Sequence, residues 1–383
     1  MKEKKNEGSV ALSIVTTTTT FLLITVLIIM PYMVQQNSIA QVQNNNNNNI
    51  DCFNIPISQY KGVNVIDKRL MAIETREWLT FSAPSVSDRL AEIKSHGFNS
   101  IRIPYYWEGY INNHTAFINA LNEISSIADK LGICVVYDFH QHHTGSRFDY
   151  WGGGFPSFLT KSYAGDDIGQ IKFWADYYDN NISYNGVKVW DLQSNFISEI
   201  IIKTADSHPS TAGYEILNEP RVDYCNQFGK VGSMQTYIGH KMRAVTAKPI
   251  FFENAANFSC TDWNNLKLES QALPRGVSNL VYAPHIYDKV SPTSLSSLHL
   301  PLLKDYFQKQ QPGMPIYVGE WGWLSGQINQ DIVQTYVKEF KDNNIGWAYW
   351  VWDPLYDYSL KNNVYESTKY MGYLVEAMTD SFR

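Results

Sequence analysis

From about residue 52 onward, short apolar runs alternate with amphipathic stretches along the whole chain. The apolar runs are 62–66, 100–104, 133–139, 213–217, 249–253, 280–284, 315–319 and 346–351, and each ends in a polar tip. Between them apolar positions fall at helical spacing. Phe117, Leu121, Ile124, Ala128 and Leu131 form one stripe that Gly132 stops, and 87–96 and 331–340 share that character. Near-continuous apolar strands alternating with helices predict a parallel sheet covered on its outside. Eight such units in 383 residues predict an α/β fold, a (β/α)8 TIM barrel. A doubly wound open sheet would more usually show a Gly-rich phosphate loop after its first strand, and 62–69 has none.

The strands begin 31–38 residues apart, except for a gap of 80 between 133 and 213. The excess holds His142, His143, Tyr150, Trp151, Gly152, Gly153, Gly154, Phe155, Phe158, Trp174, Tyr177 and Tyr178. A long aromatic, Gly-rich insertion after strand three lies at the C-terminal face of a barrel, where it can wall a binding groove. A packing lid is the plainer reading. The high aromatic content, 14%, suits a groove that stacks against flat amphipathic ligands.

Residues 1–40 read differently from the rest. Lys2, Lys4 and Lys5 precede an apolar stretch from about 10 to 34, the pattern of a signal peptide. Ser38 and Ala40 suit cleavage after Ala40, yet the stretch also approaches the ~20 residues that span a bilayer, so a retained N-terminal membrane anchor stays open. Residues 41–50, with six consecutive Asn, read as a flexible linker, leaving 51–383 for the barrel. The expected location is extracellular, either secreted or tethered to the outer face of the cell membrane, and the expected state is a monomer. Asn-x-Ser/Thr triplets at Asn113, Asn181 and Asn257 fit export. Four cysteines are too few for a disulfide scaffold. Cys134, inside an apolar run, reads as a buried thiol, and a bridge between Cys225 and Cys260 is left open. The net charge of −6 argues against nucleic acid as a partner.

Polar residues at the C-terminal ends of barrel strands point at the active site. Here those tips are Arg102; Asp138 and His140; Asn218 and Glu219; Glu253; His285 and Tyr287; Glu320; Trp350 and Asp353. Glu219 and Glu320 end strands four and seven. Cleaving a glycosidic bond needs two carboxyl groups, one protonated to release the leaving oxygen and one ionised to meet the charge at the anomeric carbon. Facing glutamates push their pKa values apart and so set up both roles, although the residues alone do not say which is the acid. No cofactor is required.

The chain resembles glycoside hydrolase family 5, a cellulase-type family of retaining β-glycosidase barrels. The resemblance is carried by Gly-Phe-Asn-Ser-Ile-Arg-Ile-Pro (97–104), Val-Tyr-Asp-Phe-His (136–140), Leu-Asn-Glu-Pro (217–220), Pro-His-Ile-Tyr (284–287), Gly-Glu-Trp-Gly (319–322) and Trp-Ala-Tyr-Trp (347–350). It implies Glu219 as acid/base and Glu320 as nucleophile, about 5–5.5 Å apart. It implies that Arg102 keeps the nucleophile ionised, Tyr287 steadies it, and Asn218 bonds the sugar 2-OH. His140 and His285 would orient the substrate, and Trp350 would form a platform under the ring. The implied substrate is a β-linked polysaccharide or oligosaccharide, first of all a β-1,4-glucan cut internally, with a mannan or a glycosphingolipid as alternatives. Gln141 after His140, and the later Gly-Gly-Gly-Phe-Pro-Ser-Phe, resemble the glycosphingolipid-cleaving branch. Two different readings are a barrel that binds glycan without cutting it, and a metal-dependent hydrolase built on His140 and His142; the latter leaves Glu219 and Glu320 unexplained.

Overall fold

The computed structural model describes residues 50–71, 83–150, 152–254, 272–288, 309, 311–323, 330–355, 359–369, 371–372 and 375. The chain divides into Met1–Asn47 and Asn48–Arg383, and the described residues all belong to the second unit. The signal or anchor at 1–40, the Asn run, Trp151, Asn257 and Cys260 lie outside the described residues. Among the described residues, no helix is long and apolar enough to cross a membrane.

All eight apolar runs are strands of one parallel sheet. In chain order they are β1 (Lys61–Asn64), β2 (Ser100–Tyr105), β3 (Cys134–Phe139), β4 (Thr211–Glu215), β5 (Ile250–Phe252), β6 (Leu280–Tyr282), β7 (His285–Asp288), β8 (Tyr317–Trp323) and β9 (Gly346–Tyr349). β1 pairs with both β2 and β9, which makes first and last strands neighbours. β6 and β7 are one barrel strand in two pieces, parted at Pro284, which has no N–H to give the ladder. The first piece pairs with β5 and the second with β8. Tyr282 N–H to Pro315 O (3.0 Å) and Gly319 N–H to Pro284 O (3.2 Å) complete the ring. The result is an eight-position (β/α)8 barrel, as the strand pattern predicts.

Strand residues alternate between the two faces. Val136, Ala212, Phe251, Val281, Ala283, Tyr317 and Ala348 fill the barrel interior, with Cys52, Ile57 and Tyr60 packed against them from the N-terminal end. Their neighbours Ile101, Ile103, Val135, Tyr137, Ile250, Leu280 and Trp347 face outward to the helices. Helix α1 (Val86–Ser95) begins where Ser85 Oγ accepts the Asp88 N–H at 3.1 Å. Helix α2 (His114–Leu131) buries Phe117, Leu121, Ile124 and Ala128 and ends at Gly132, whose φ of 62° lets its N–H turn back onto Ala128 and Asp129.

Two expectations are corrected. Cys134 is buried but is not a thiol: it forms a disulfide with Cys52, with the Cα atoms 5.5 Å apart and the residues 82 positions apart in sequence. Cys134 starts β3 facing inward. The Cys52 turn, anchored by its N–H on Pro209 O at 2.8 Å, lies directly under it.

The second correction concerns the insertion, which carries α3 (Asp167–Tyr178), a short hairpin of Ser183–Tyr184 with Val187–Lys188, and α4 (Val189–Phe196). Most of its aromatics do not wall a groove. Phe155, Phe173, Trp174 and Tyr177 are fully buried, with the Phe155 ring 5.2 Å from Tyr177 and 5.8 Å from Trp174. A segment this long must bury apolar surface of its own to stay ordered. Among the described residues, Tyr150 and Tyr184 are exposed, at 58% and 40%.

Candidate active site

The alternation that fills the barrel also builds the site. Two residues further along each inward column, Val136 leads to Asp138 and then His140, and Phe251 leads to Glu253. Ala283 leads to His285 and Tyr287, and Ala348 to Trp350. In β8 the pairing with β9 slips by a residue between Val318 and Trp321, beside Glu320. A side chain at Gly319 would place a Cβ 3.2 Å from His285 Nε2 and 3.4 Å from Arg102 Nε, so glycine lets both cations come close to the glutamate that follows.

Arg102 is fully buried and organises the floor. Its Nη1 donates to Glu320 Oε1 at 2.7 Å and to Asn64 Oδ1 at 3.1 Å. Nε donates to Glu215 Oε2 at 2.8 Å, and Nη2 to Asn218 Oδ1 at 2.8 Å, with Asp138 Oδ2 at 3.1 Å from the same nitrogen. Tyr287 OH donates to the other Glu320 oxygen at 2.6 Å. Both oxygens of Glu320 are thus held by hydrogen-bond donors.

His285 stands between the two glutamates. Its Nδ1 lies 2.9 Å from Glu219 Oε1 and 3.5 Å from Glu320 Oε2, and its Nε2 lies 3.2 Å from Glu253 Oε1. Burial disfavours a charged ring, but the carboxyls around it, Glu253 and Glu320 first and then Glu219, outweigh it and lift the imidazole well above its usual range. Burial would raise Glu219 as well. The His285 hydrogen bond and charge prevail and bring that carboxyl down to about 2. One oxygen of Glu219, one of Glu320 and a His285 nitrogen all lie within 4.8 Å of one another. Oxygens this close suit the spacing of a retaining pair, whose carboxyls stand about 5–5.5 Å apart.

Glu219 has a left-handed backbone, φ 43°, uncommon for a side chain of its size. Gln141 secures it: Nε2 donates to Glu219 O at 2.8 Å and to Asn218 O at 3.2 Å, while Asn218 Nδ2 returns a bond to Gln141 O at 3.0 Å. His140 Nδ1 lies 2.6 Å from Asp138 Oδ2, and burial lowers its pKa to about 4, which keeps the ring neutral. Its face stacks on Trp350, centroids 5.5 Å apart and planes within 5°.

The structure therefore brings Arg102, His140, Asn218, Glu219, His285, Tyr287, Glu320 and Trp350 together. Asp353 stays apart, tied to Arg89 Nη1 at 3.0 Å and to the Ile66 N–H at 2.6 Å. His142 and His143 face one another on a turn, and neither joins a cluster of potential metal ligands among the described residues. Sequence reasoning gave no role to Asn64, Gln141, Glu215 or Glu253. Glu215 could have been found as a lone charge inside a buried strand, which demands a partner, and Arg102 is the matching anomaly two strands away. Gln141 carries no such signal, because its partners are main-chain atoms.

The cellulase profile, glycosyl hydrolase family 5, matches residues 56–355. No relative among curated protein sequences matches the chain. Among solved structures, an endogalactoceramidase is 20% identical, with 77% of this chain and 71% of that one covered, at a TM-score of 0.58. The lactosyl-enzyme intermediate of endo-glycoceramidase II from Rhodococcus sp. is 15% identical over 82% and 77%, at 0.62. A β-glucanase from Saccharophagus degradans is 15% identical over 85% and 88%, at 0.56. At these identities the structural likeness speaks for the fold, and the profile match speaks for the family. The chain belongs to glycosyl hydrolase family 5 and is a retaining glycoside hydrolase.

Proposed function

We propose that Glu320 is the nucleophile and Glu219 the acid/base of a double displacement on a β-glycoside. The observation that carries this reading is the close approach of the two carboxyls across one imidazole, with Glu320 held on both oxygens by Arg102 and Tyr287. In the first step a Glu320 oxygen bonds the anomeric carbon, the glycosidic bond breaks, and its oxygen leaves with a proton from Glu219. In the second, water attacks the anomeric carbon, its proton passes to Glu219, and the Glu320 ester opens. In the resting site the proton of the Glu219–His285 pair sits on the ring. It crosses the 2.9 Å to Glu219 as the leaving oxygen takes it. Asn218, its carbonyl fixed by Arg102, keeps a second amide N–H to offer the sugar 2-OH. Trp350, backed by His140, forms the platform under the ring.

For the substrate, we propose a glycosphingolipid-type β-glucoside released as an intact oligosaccharide. The His140–Gln141 step and the Gly152–Phe158 segment support this. So does the naming of several similar structures as endoglycoceramidases. The cellulase profile and the β-glucanase likeness favour a second reading, internal cleavage of a β-1,4-glucan. The Cys52–Cys134 disulfide supports export, since such bonds persist in oxidising compartments. The test is product analysis after incubation with detergent-dispersed lactosylceramide, soluble cellulose derivative and mannan. Free lactose appearing first as the β-anomer supports the proposal. Release from the glucan alone selects the second reading, and an α-anomer first product overturns the double displacement.

A further inference from the structure

Beneath Glu219 and Glu320 the barrel buries three more carboxyls, Asp138, Glu215 and Glu253, that bond-breaking does not employ. Five carboxyls therefore converge on two cationic groups, Arg102 and His285. Arg102 serves Glu215 and Asp138 closely but reaches Glu253 only at 3.7 Å. Glu253 is turned instead toward His285: Oε1 lies 3.2 Å from Nε2 as an ion-pair contact, and both atoms are buried with no hydrogen-bond partner among the described residues. The other nitrogen of the same ring meets Glu219. Glu215, Glu253 and His285 also gather atoms within 4.8 Å of one another. Gln235, donating to Glu253 O at 2.8 Å, pins the residue at the strand end.

Like charges in contact do not all ionise, and an isolated buried charge is costly. Burial pushes Glu253 well above the usual carboxyl range. Burial acts on Glu215 in the same sense, but the Arg102 charge outweighs it and draws that carboxyl down. Glu253 then keeps its proton for Glu215 and offers Oε1 to the ring.

We propose that Glu253 is a positioning residue for the acid/base: by accepting from His285 Nε2 it keeps the second ring proton on Nδ1, facing Glu219. The inference rests on the assignment of Glu219 above. The ring is surrounded by Glu219, Glu253 and Glu320 in contact, with Arg102, Glu215, Asp138 and His140 beyond them. In the first half-reaction the Nδ1 proton passes to Glu219 and on to the leaving oxygen. In the second the proton lost by water returns along the same path, so no net proton is gained or lost.

The test compares wild type with Glu253→Gln, which keeps an acceptor oxygen, and with Glu253→Leu and Glu253→Ala, which remove it while filling or emptying the space. Two readouts are taken on the full protein: the titration of the His285 ring by nitrogen NMR, and the pH profile of kcat/KM for phenyl and dinitrophenyl β-lactoside. Leu and Ala should lower the ring titration and the alkaline limb for the phenyl substrate by about one pH unit, roughly tenfold in rate beyond the limb. Gln should restore both, and the dinitrophenyl profile should not move. A ring titration unchanged in a folded Leu or Ala variant overturns the proposal, as does an equal shift in Gln. A ring that moves while the phenyl profile stays fixed upholds the Glu253–His285 link and overturns Glu219 as the acid.

Discussion

The side-chain amide of Gln141 donates to the main-chain oxygen of Glu219 at 2.8 Å, fixing a glutamate whose backbone stands in the left-handed region. The root of the insertion thus sets the aim of a strand-four carboxyl. Gln141→Ala should lower kcat/KM by about tenfold to a hundredfold, because a small misplacement of a reacting group carries that cost. The loss should fall on kcat more than on KM. Steady-state kinetics beside a melting curve would check this, and a normal kcat would count against the link.

Glu320→Gln should abolish turnover and leave folding intact, since the amide keeps the shape but not the nucleophile. Glu219→Ala should slow phenyl glycosides far more than dinitrophenyl ones, which need little help from an acid. An equal loss on both leaving groups, measured by initial rates, would count against Glu219 as the acid.

Arg102→Met should be severe. Removing the guanidinium leaves Glu215, Asp138 and Glu320 without their buried partner, a change that costs about 3–5 kcal/mol. Urea unfolding at neutral pH reads this directly. Any activity that survives should be low, because Glu320 loses the donor on its Oε1.

Stability should depend on pH through two groups of opposite sign. Glu219, lowered from 4.5 to about 2 by His285 against the effect of burial, contributes stability above its ordinary value and loses it as pH falls through the folded one. His285, raised from 6.5, contributes fully below that value and loses the contribution as pH rises through its folded pKa. Both are complete between 4.5 and 6.5. The stability gap between wild type and His285→Asn should be widest in that window and shrink toward alkaline pH. Denaturant titrations from about pH 4 to about pH 9 would reveal a gap independent of pH if the linkage is wrong.

Cys52→Ser should cost roughly 4 kcal/mol, the chain-entropy value for a closed loop of this length. The bond lies at the N-terminal ends of the strands, so activity at 25 °C should persist while the melting temperature falls. Reduction of the wild type should give the same shift, and a loss of activity without a change in melting would refute it.

The barrel was legible because strand burial repeats: each run that reads as continuously apolar is buried, and alternation along it carries the polar tips to one end. Arg102, His140, His285, Tyr287 and Trp350 lie on such inward columns, whereas Glu320 sits beside the slip between β8 and β9 and Glu219 directly follows Asn218. The Cys52–Cys134 pairing was not legible, since residues 82 positions apart meet only once the N-terminal turn closes the floor, and nothing local in Cys134 marks it. Aromatic richness misled for a different reason. Trp174 and Tyr177 have the composition of a binding surface, but an inserted segment spends such residues on its own interior. Glu253 was visible as a strand tip, yet its bearing on His285 depends on which of five carboxyls the guanidinium reaches first.

The entry of the chain at the barrel floor has a practical consequence. Residue 50 leads into a turn stapled to β3 at the end opposite Glu219 and Glu320. A solid support, a fused domain or an affinity handle joined there would meet the closed side of the barrel. The mouth that receives the glycan would face away from it, so orientation on a surface is set by where the polypeptide enters rather than by added engineering.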